Sequence, residues 1–195
     1  MDERIVISSS ENSVDMLTGK PSGGRTASGV KRLGQLKNVF ADKEAFEKLD
    51  PETVVYRVEC HYPVDEGTPG GLFFGASYIM PGKVGNEYFM TKGHYHSRPE
   101  CAEYYWGISG EGVLLLKDQN GSCRAEKVEK GSLHYVPGNT AHRLVNTGTE
   151  VLAVGACWPS DAGHDYGSAE QSGFGALVVE EDGAPAVIKK EISGR

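Results

Sequence analysis

Short runs of β-forming residues, separated by turn residues, dominate the chain from Thr53 onward. Many short strands at this spacing, with almost no helix, predict an all-β sandwich or jelly roll. Turn pairs separate the runs, and one of them, Asn120-Gly121, predicts a type I′ hairpin. The runs that predict strands are 53–58, 72–80, 87–91, 102–109, 112–117, 124–128, 133–136, 142–146 and 151–157.

The two ends of the chain carry weaker patterns. Residues 1–35 are polar and rich in Gly and Ser, which predicts a largely irregular arm. Residues 41–49 combine helix formers with apolar side chains ahead of Pro51 and predict one short amphipathic helix. A C-terminal hairpin is predicted around Asp182-Gly183. We therefore expect a single domain over residues 1–195, with its barrel over about 53–160.

Composition narrows the class of protein. The chain has 195 residues, of which 38% are hydrophobic and 24% charged, and these values suit one soluble domain. A net charge of −7 without a basic cluster predicts no nucleic-acid partner. Because no apolar run reaches the length of a membrane span and no signal-peptide core is visible, we expect a cytoplasmic protein with no membrane partner.

The pattern with the most specific chemistry consists of His94, His96, Glu103 and His142. Residues i and i+2 of a strand point to the same face, so His94 and His96 present two imidazoles side by side. Three imidazole nitrogens and a carboxylate suit Fe(II), Mn(II), Ni(II) or Zn(II) and leave coordination positions open. A single histidine is usually a packing or surface residue, but this set predicts a metal site. Cys101, between two of these residues, is expected to be a spectator thiol.

The segments around these residues resemble the paired motifs of the cupin superfamily. The second motif runs from Gly131 through Pro137 and His142 to Asn146, and the first runs from His94 to Gly110. Six residues separate His96 from Glu103, whereas most cupins have three or four. This longer gap, together with residues 81–85, 91–96 and 162–167, resembles the cupin-type glucose-6-phosphate isomerases, and the resemblance covers about residues 30–190.

The resemblance implies a homodimeric cupin jelly roll that interconverts glucose 6-phosphate and fructose 6-phosphate, a step of glycolysis and gluconeogenesis. It implies one divalent metal ion per subunit, with Fe(II) as the expected metal, held by His94, His96, Glu103 and His142. Ser77, Thr91, Gly93 and Tyr166 match positions that contact the phosphate, and Tyr56, Tyr105 and His164 match positions near the sugar. Ser77 stands where threonine is common, and Trp158 where a tyrosine can occur.

The isomerisation moves a hydrogen between C1 and C2 of the sugar. A cis-enediol route needs a base, and a hydride shift needs a Lewis acid; the sequence leaves both open. Glu103 is the only acidic member of the cluster and is therefore the candidate catalytic residue, as base or proton shuttle. Without a Walker-type loop or a cluster of Arg and Lys, the phosphate is expected to bind neutral hydroxyl and main-chain donors.

Three other functions are compatible with parts of this pattern. An iron-dependent cupin dioxygenase uses a similar ligand set, although the segments 91–96 and 162–167 favour the isomerase. An isomerase of another phosphosugar, such as mannose 6-phosphate, differs only in the pocket geometry around C2. A sugar-binding cupin without activity would typically lack some of the four ligands, all of which are present here.

Overall fold

The computed structural model describes residues 7–190, and antiparallel strands make up most of its secondary structure. There are two short α-helices, α1 (Lys43–Glu47) and α2 (Tyr166–Ser172), and one 3-10 helix, Leu33–Leu36. Neither α-helix in this described part of the chain has the length and apolar character needed to cross a membrane. The strands are β1 (Ser13–Val14), β2 (Pro21–Ser22), β3 (Thr26–Arg32), β4 (Val54–His61), β5 (Leu72–Ile79), β6 (Lys83–Val84), β7 (Glu87–Tyr88), β8 (Glu103–Ser109), β9 (Gly112–Lys117), β10 (Cys123–Val128), β11 (Leu133–Val136), β12 (Ala141–Asn146), β13 (Leu152–Pro159), β14 (Ala176–Glu181) and β15 (Ala184–Lys189).

Two of the antiparallel sheets enclose the core. One has six strands in the order β11-β8-β13-β5-β4-β3, and the other has three in the order β10-β9-β12. Apolar side chains of both sheets, among them Ile79, Val154 and Leu144, are buried in one cluster. Asn146 ties the sheets together, because its side-chain amide donates to the carbonyl of Ile79 at 2.8 Å. The prediction of an all-β, cupin-type jelly roll with a short helix is confirmed, and the two sheets remain separate rather than closing into one continuous barrel.

The prediction of an irregular arm up to residue 35 is wrong for Thr26–Arg32. This segment is strand β3, which pairs with β4 at the edge of the six-stranded sheet, for example Val30 with Arg57. Almost all of its side chains are exposed or half-buried. An edge strand of this kind is held mainly by main-chain hydrogen bonds, so its side chains carry no hydrophobic alternation that would reveal it.

The predicted type I′ turn at Asn120-Gly121 is also wrong. A type I′ turn needs positive φ at both central residues, but only Gly121, at φ +80°, adopts it. The loop instead spans five residues, and the N–H of Asp118 donates to the carbonyl of Ser122 at 3.0 Å. The Asp118 carboxylate accepts from the N–H groups of Asn120 and Ser122, both at 2.9 Å, and these bonds stabilise the longer loop.

The helix predicted near Phe46 is confirmed as α1. The side chain of Asp42 accepts from the N–H of Ala45 at 2.9 Å and so caps its first turn, while Phe46 is buried. Helix α2 was not expected, because its sequence contains Gly167 and several weak helix formers. A cap again defines its start: Asp165 accepts from the N–H of Ser168 at 3.0 Å. The C-terminal hairpin is confirmed as β14 and β15, joined at Asp182-Gly183.

Candidate active site

His94, His96, Glu103 and His142 converge in one cluster between the two sheets. One nitrogen or oxygen atom from each lies within 4.8 Å of those of the other three. His142 Nε2 is 2.6 Å from Glu103 Oε1 and 3.1 Å from His94 Nε2, and His96 Nε2 is 3.6 Å from the same carboxylate oxygen. Glu103 begins β8 of the six-stranded sheet, whereas His142 lies in β12 of the three-stranded sheet. Both sheets therefore supply members of the cluster.

Hydrogen bonds behind the cluster orient two of its imidazoles. His96 Nδ1 lies 2.8 Å from the carbonyl of Cys101, and His142 Nδ1 lies 3.2 Å from the carbonyl of Thr140. A carbonyl oxygen only accepts, so each Nδ1 carries a proton and donates, and Nε2 of the neutral ring presents a lone pair to the cluster. The Cys101 thiol is directed elsewhere, towards Asp161 Oδ1 at 3.8 Å.

These converging lone pairs fit a cation. Glu103 Oε1 is buried and, among the described residues, has no hydrogen-bond donor in good geometry, although two imidazoles surround it. A buried carboxylate oxygen facing bare nitrogen atoms is costly unless positive charge sits among them. A proton supplies this positive charge in part, whereas a divalent metal ion can accept lone pairs from all four residues at once. The cluster could therefore hold a metal ion.

The protonation of the groups around the cluster follows from burial and charge. Burial alone would raise the pKa of Glu103, but its interactions with the neighbouring histidines, with His142 first, hold this pKa well below its usual range. A bound cation acts in the same direction, so Glu103 is a carboxylate and a weak base. Burial, and then the charge of Glu103, raises the pKa of Tyr105 well above its ordinary value. Burial lowers the pKa of His164, which is therefore neutral near pH 7.

A cavity of about 200 Å³ opens directly from the cluster. All the site residues predicted from the sequence line this cavity except His96. Strands β4, β5, β8 and β13 supply one wall, and β12 with the segments at residues 91–94 and 164–166 supplies the other. The predicted residues on its surface are Tyr56, Ser77, Thr91, Gly93, His94, Glu103, Tyr105, His142, His164 and Tyr166, and Trp158 joins them.

Two polar residues of the cavity wall were missed in the sequence. Cys60 and Tyr62 also line the cavity. Cys60 follows Tyr56 and Val58 at intervals of two along β4, so all three point to the same face. Alternation from Tyr56 could therefore have identified Cys60. His134 lies outside the site, buried between Glu126 and Ser132, with its ring nitrogens 2.7 and 2.9 Å from their side-chain oxygens.

The segment before His94 approaches β12 through a bulge. Met90 pairs with Val145 and His94 pairs with His142, so five residues on one side face four on the other. Gly93 absorbs the extra residue at φ +73°, a conformation that favours glycine. We refer to residues 90–94 as the 90–94 bulge. Its strand 87–91 was predicted to be regular, but only Glu87–Tyr88 forms a strand.

Main-chain and hydroxyl contacts fix Thr91 within this bulge. The Thr91 N–H donates to the carbonyl of Leu144 at 2.9 Å, and the Thr91 hydroxyl accepts from the N–H of Leu144 at 3.1 Å. Since the hydroxyl accepts from the protein, its own hydrogen is left to point into the cavity.

Aromatic rings close the side of the cavity next to the bulge. The rings of His164 and Tyr166 are parallel, with centroids 5.6 Å apart, and the His164 ring lies 4.5 Å from that of His94. Tyr166 is the first residue of α2, so the Asp165 cap sets its position. Tyr95 and Asp165 exchange main-chain hydrogen bonds of 3.2 and 2.8 Å. These bonds hold residues 164–166 beside the four-residue cluster.

Comparison with known proteins agrees with this geometry. The family model described as Glucose-6-phosphate isomerase (GPI) matches residues 30–192. The chain is 44% identical to the glucose-6-phosphate isomerase of Thermococcus kodakarensis over 90% of its own length and 91% of that protein. The chain belongs to the glucose-6-phosphate isomerase family. The prediction of an isomerase of this family is thereby confirmed, and so is the span of the resemblance.

Another glucose-6-phosphate isomerase, that of Thermococcus onnurineus, is also 44% identical, over 90% of this chain and 91% of that protein. Among solved structures, the chain is similar to the structure of oxalate decarboxylase from Bacillus subtilis determined at pH 4.6. That match has a TM-score of 0.44 and 21% identity, and it covers 56% of this chain and 26% of the decarboxylase.

Proposed function

We propose that this member of the family interconverts glucose 6-phosphate and fructose 6-phosphate with one divalent metal ion per subunit. The observation that carries the proposal is the shared cavity: three of the four cluster residues, His94, Glu103 and His142, line the same space as the polar groups suited to a phosphosugar. We further propose that residues 1–195 act as a single cupin domain. A cytoplasmic location is in keeping with its four free cysteines.

His94, His96, Glu103 and His142 are the proposed ligands of the metal ion. When bound, the ion would supply Lewis acidity to the oxygens at C1 and C2 of the sugar. Three imidazoles and a carboxylate favour a first-row transition metal, and of these we propose Fe(II), with Mn(II), Ni(II) and Zn(II) as the competing outcomes of the test below.

The residues near the sugar divide between proton donors and acceptors. Tyr105 keeps its proton, because its pKa is raised, and can donate a hydrogen bond to a sugar oxygen. Burial raises the pKa of Tyr56 to about 12, so this hydroxyl also stays protonated. Glu103 is the proposed catalytic residue, either as the base that moves the proton between C2 and C1 by way of a cis-enediol or, if that hydrogen moves as hydride, as the shuttle of a proton between the two oxygens. The neutral ring of His164 is the alternative acceptor if the bound carboxylate is too weak a base.

We propose that the phosphate binds on the bulge side of the cavity through neutral donors. The Thr91 hydroxyl has a hydrogen free to donate, and the main chain at Gly93 lies beside it. Ser77 supplies a second hydroxyl from β5, and Tyr166 a third from the start of α2. Trp158 lines the same cavity and adds an N–H donor where a tyrosine could also accept.

The test removes the metal ion and returns metals one at a time. We expect that chelation abolishes the anaerobic conversion of fructose 6-phosphate and that Fe(II), Mn(II) or Ni(II) restores it. His142→Ala should lose both metal and turnover. His134→Ala, which removes a buried histidine outside the cluster, is the matched control and should keep its metal content.

Each alternative gives a different result in the same experiment. Full activity in a preparation verified to contain no metal would defeat the metal-dependent mechanism. Substrate-dependent oxygen consumption without anaerobic turnover would identify a dioxygenase. Faster conversion of mannose 6-phosphate than of glucose 6-phosphate would change the substrate but leave the isomerase chemistry in place.

We also propose that two copies of the chain associate through the outer face of the six-stranded sheet. Three apolar side chains are exposed together there: Leu133 at 68%, Tyr135 at 52% and Tyr104 at 48%. The rings of the two tyrosines lie 5.3 Å apart. We refer to these residues as the β8–β11 patch. Clustered apolar side chains beside an edge strand are typical of surfaces that a partner covers.

A further inference from the structure

Arg143 is buried on the face of β12 opposite to His142 and Leu144. Only 9% of this residue is exposed. Its Nη2 donates to the carbonyl of Lys92 at 2.7 Å, and its guanidinium carbon lies 4.2 Å from the centroid of the Phe174 ring. A guanidinium held by a hydrogen bond on one side and an aromatic face on the other has a fixed position.

The carbonyl that Arg143 contacts lies in the middle of the 90–94 bulge. Because five residues face four, a main-chain group inside the bulge loses its partner in the regular ladder. The Arg143 side chain provides that partner from the opposing strand. Lys92 stands between Thr91 and Gly93, so one hydrogen bond restrains two of the proposed phosphate contacts, and Gly93 is also the residue before His94.

Phe174 and Arg143 pack closely against Gly93. A Cβ atom added at Gly93 would lie 2.6 Å from Phe174 Cζ and 3.1 Å from Arg143 Cβ. Both are closer than van der Waals contact, so Arg143 and Phe174 press directly against the main chain of the bulge. The Arg143 atom nearest to Gly93 is its Cβ, so a substitution that changes only the end of the side chain keeps this contact and removes the hydrogen bond to Lys92.

Arg143 also places positive charge behind the neutral phosphate donors. An arginine guanidinium is protonated at neutral pH, so Arg143 carries this charge although its side chain is buried. Glu87 is itself buried, and its Oε1 has no hydrogen-bond partner among residues 7–190. In a buried environment of low effective dielectric constant, a cation attracts a phosphate dianion over several ångströms without contact.

We propose that Arg143 is a positioning residue for the phosphate group of the substrate. It acts through Lys92, whose carbonyl it holds, and it offsets the charge of a phosphate that otherwise meets only neutral donors. The inference rests on the proposed function, because it concerns how the same cavity selects a phosphorylated sugar over a free one.

The central test is Arg143→Met, which keeps a long apolar side chain but removes the charge and the hydrogen bond. We expect KM for fructose 6-phosphate to rise about 10- to 100-fold, the range for loss of a hydrogen bond from a charged group. The kcat value and the metal content should stay near those of the wild-type enzyme. KM for unphosphorylated fructose should not change, whereas a purely structural defect would affect both sugars.

Three further variants separate the components of this effect. Arg143→Lys keeps the charge and one donor and should recover part of the wild-type KM. The double variant Glu87→Gln/Arg143→Met avoids a buried carboxylate without its cation, so it serves if the single variant does not fold. Arg124→Met is the matched control: it removes an exposed arginine from β10 of the same sheet, and KM should be unchanged.

The outcomes also distinguish this inference from the proposed function. A wild-type enzyme that converts no hexose phosphate would defeat the proposed function. An active wild type, with a folded, metal-replete Arg143→Met variant of unchanged KM, would defeat the inference alone. Parallel loss of metal and kcat at constant KM would also defeat it, because Arg143 would then only support the neighbouring ligand His142.

Discussion

Glu103 occupies a position in which coordination and proton transfer compete. Its carboxylate faces two imidazoles and lies in the same cavity as Tyr105. The positive charge that keeps Glu103 ionised also makes it a weak proton acceptor. The two roles can be separated by a substitution that preserves shape and an oxygen ligand while it removes the basic carboxylate.

We predict that Glu103→Gln lowers kcat by about 10²–10⁴-fold, the range for loss of an acid–base group, while part of the metal remains bound. KM should change less, because Ser77, Thr91 and Tyr166 are untouched. Steady-state kinetics with metal analysis on the same preparation provides the measurement. If rate and metal content fall in strict proportion, or if the metal-replete variant has near-normal kcat, Glu103 is a ligand only and His164 becomes the candidate base.

At the scale of single residues, the sequence predicted which four residues converge, and their role as metal ligands stays a prediction. His94 and His96 lie two positions apart, and the cupin motifs bring Glu103 and His142 to them. The other predicted site residues, taken from the resemblance, line one cavity, while their roles stay predictions. Arg143 could not be identified in this way. Its contacts, Lys92 and Phe174, are distant in the chain, so only the folded structure brings them to it.

Helix α2 connects an ordinary capping interaction with the proposed phosphate site. The Asp165 carboxylate caps the helix, and the next residue, Tyr166, lines the cavity. We predict that Asp165→Ala costs about 0.5–2 kcal/mol of stability, as expected for a lost N-cap. It should also raise KM for the phosphosugar, because the position of Tyr166 depends on the first turn of the helix.

Asp42→Ala is the matched control for this prediction. Asp42 caps α1 in the same manner, through the N–H of Ala45, and it does not line the cavity. Its loss should reduce stability to a similar extent, measured by denaturant unfolding, and leave KM unchanged. Equal KM values for Asp165→Ala and the wild type would show that the cap has no part in substrate binding.

The sequence predicted strands well where a pattern of apolar residues marks them. It did not predict elements that depend on main-chain pairing or on side-chain contacts within a loop. Strands β9 and β11 begin and end at the predicted residues, because apolar runs bounded by turn residues define them. Strand β3 has no such pattern, since its contribution to the sheet is its main-chain pairing with β4. The side chain of Asp118 extends the turn before Gly121, and a prediction based on the Asn-Gly pair alone does not include that carboxylate.

For the whole molecule, the proposed homodimer is the first property to test. We predict a dimeric mass at micromolar concentration by light scattering. Leu133→Glu should shift the mass to that of a monomer, because it places a charge in the β8–β11 patch at its most exposed residue. Val187→Glu, which changes a residue exposed at 46% in the C-terminal hairpin, should leave the mass unchanged. A monomeric wild-type protein would contradict the proposed dimer.

The distribution of the proposed metal ligands between two sheets has a consequence for the stability of the entire domain. Glu103 belongs to the six-stranded sheet and His142 to the three-stranded sheet, so an ion bound to both acts as a removable cross-link between them. Binding of the ion to the native state alone raises the free energy of unfolding by about 2.7 kcal/mol at a free metal concentration 100 times Kd.

We therefore predict that the melting temperature rises with metal concentration and falls on chelation. His142→Ala should abolish this dependence, and His134→Ala should retain it. Calorimetry in metal-buffered solutions would reveal it, and a melting temperature independent of metal would mean that the sheets are held together without the ion. Under this arrangement the free metal concentration would set the stability of the folded enzyme as well as its activity.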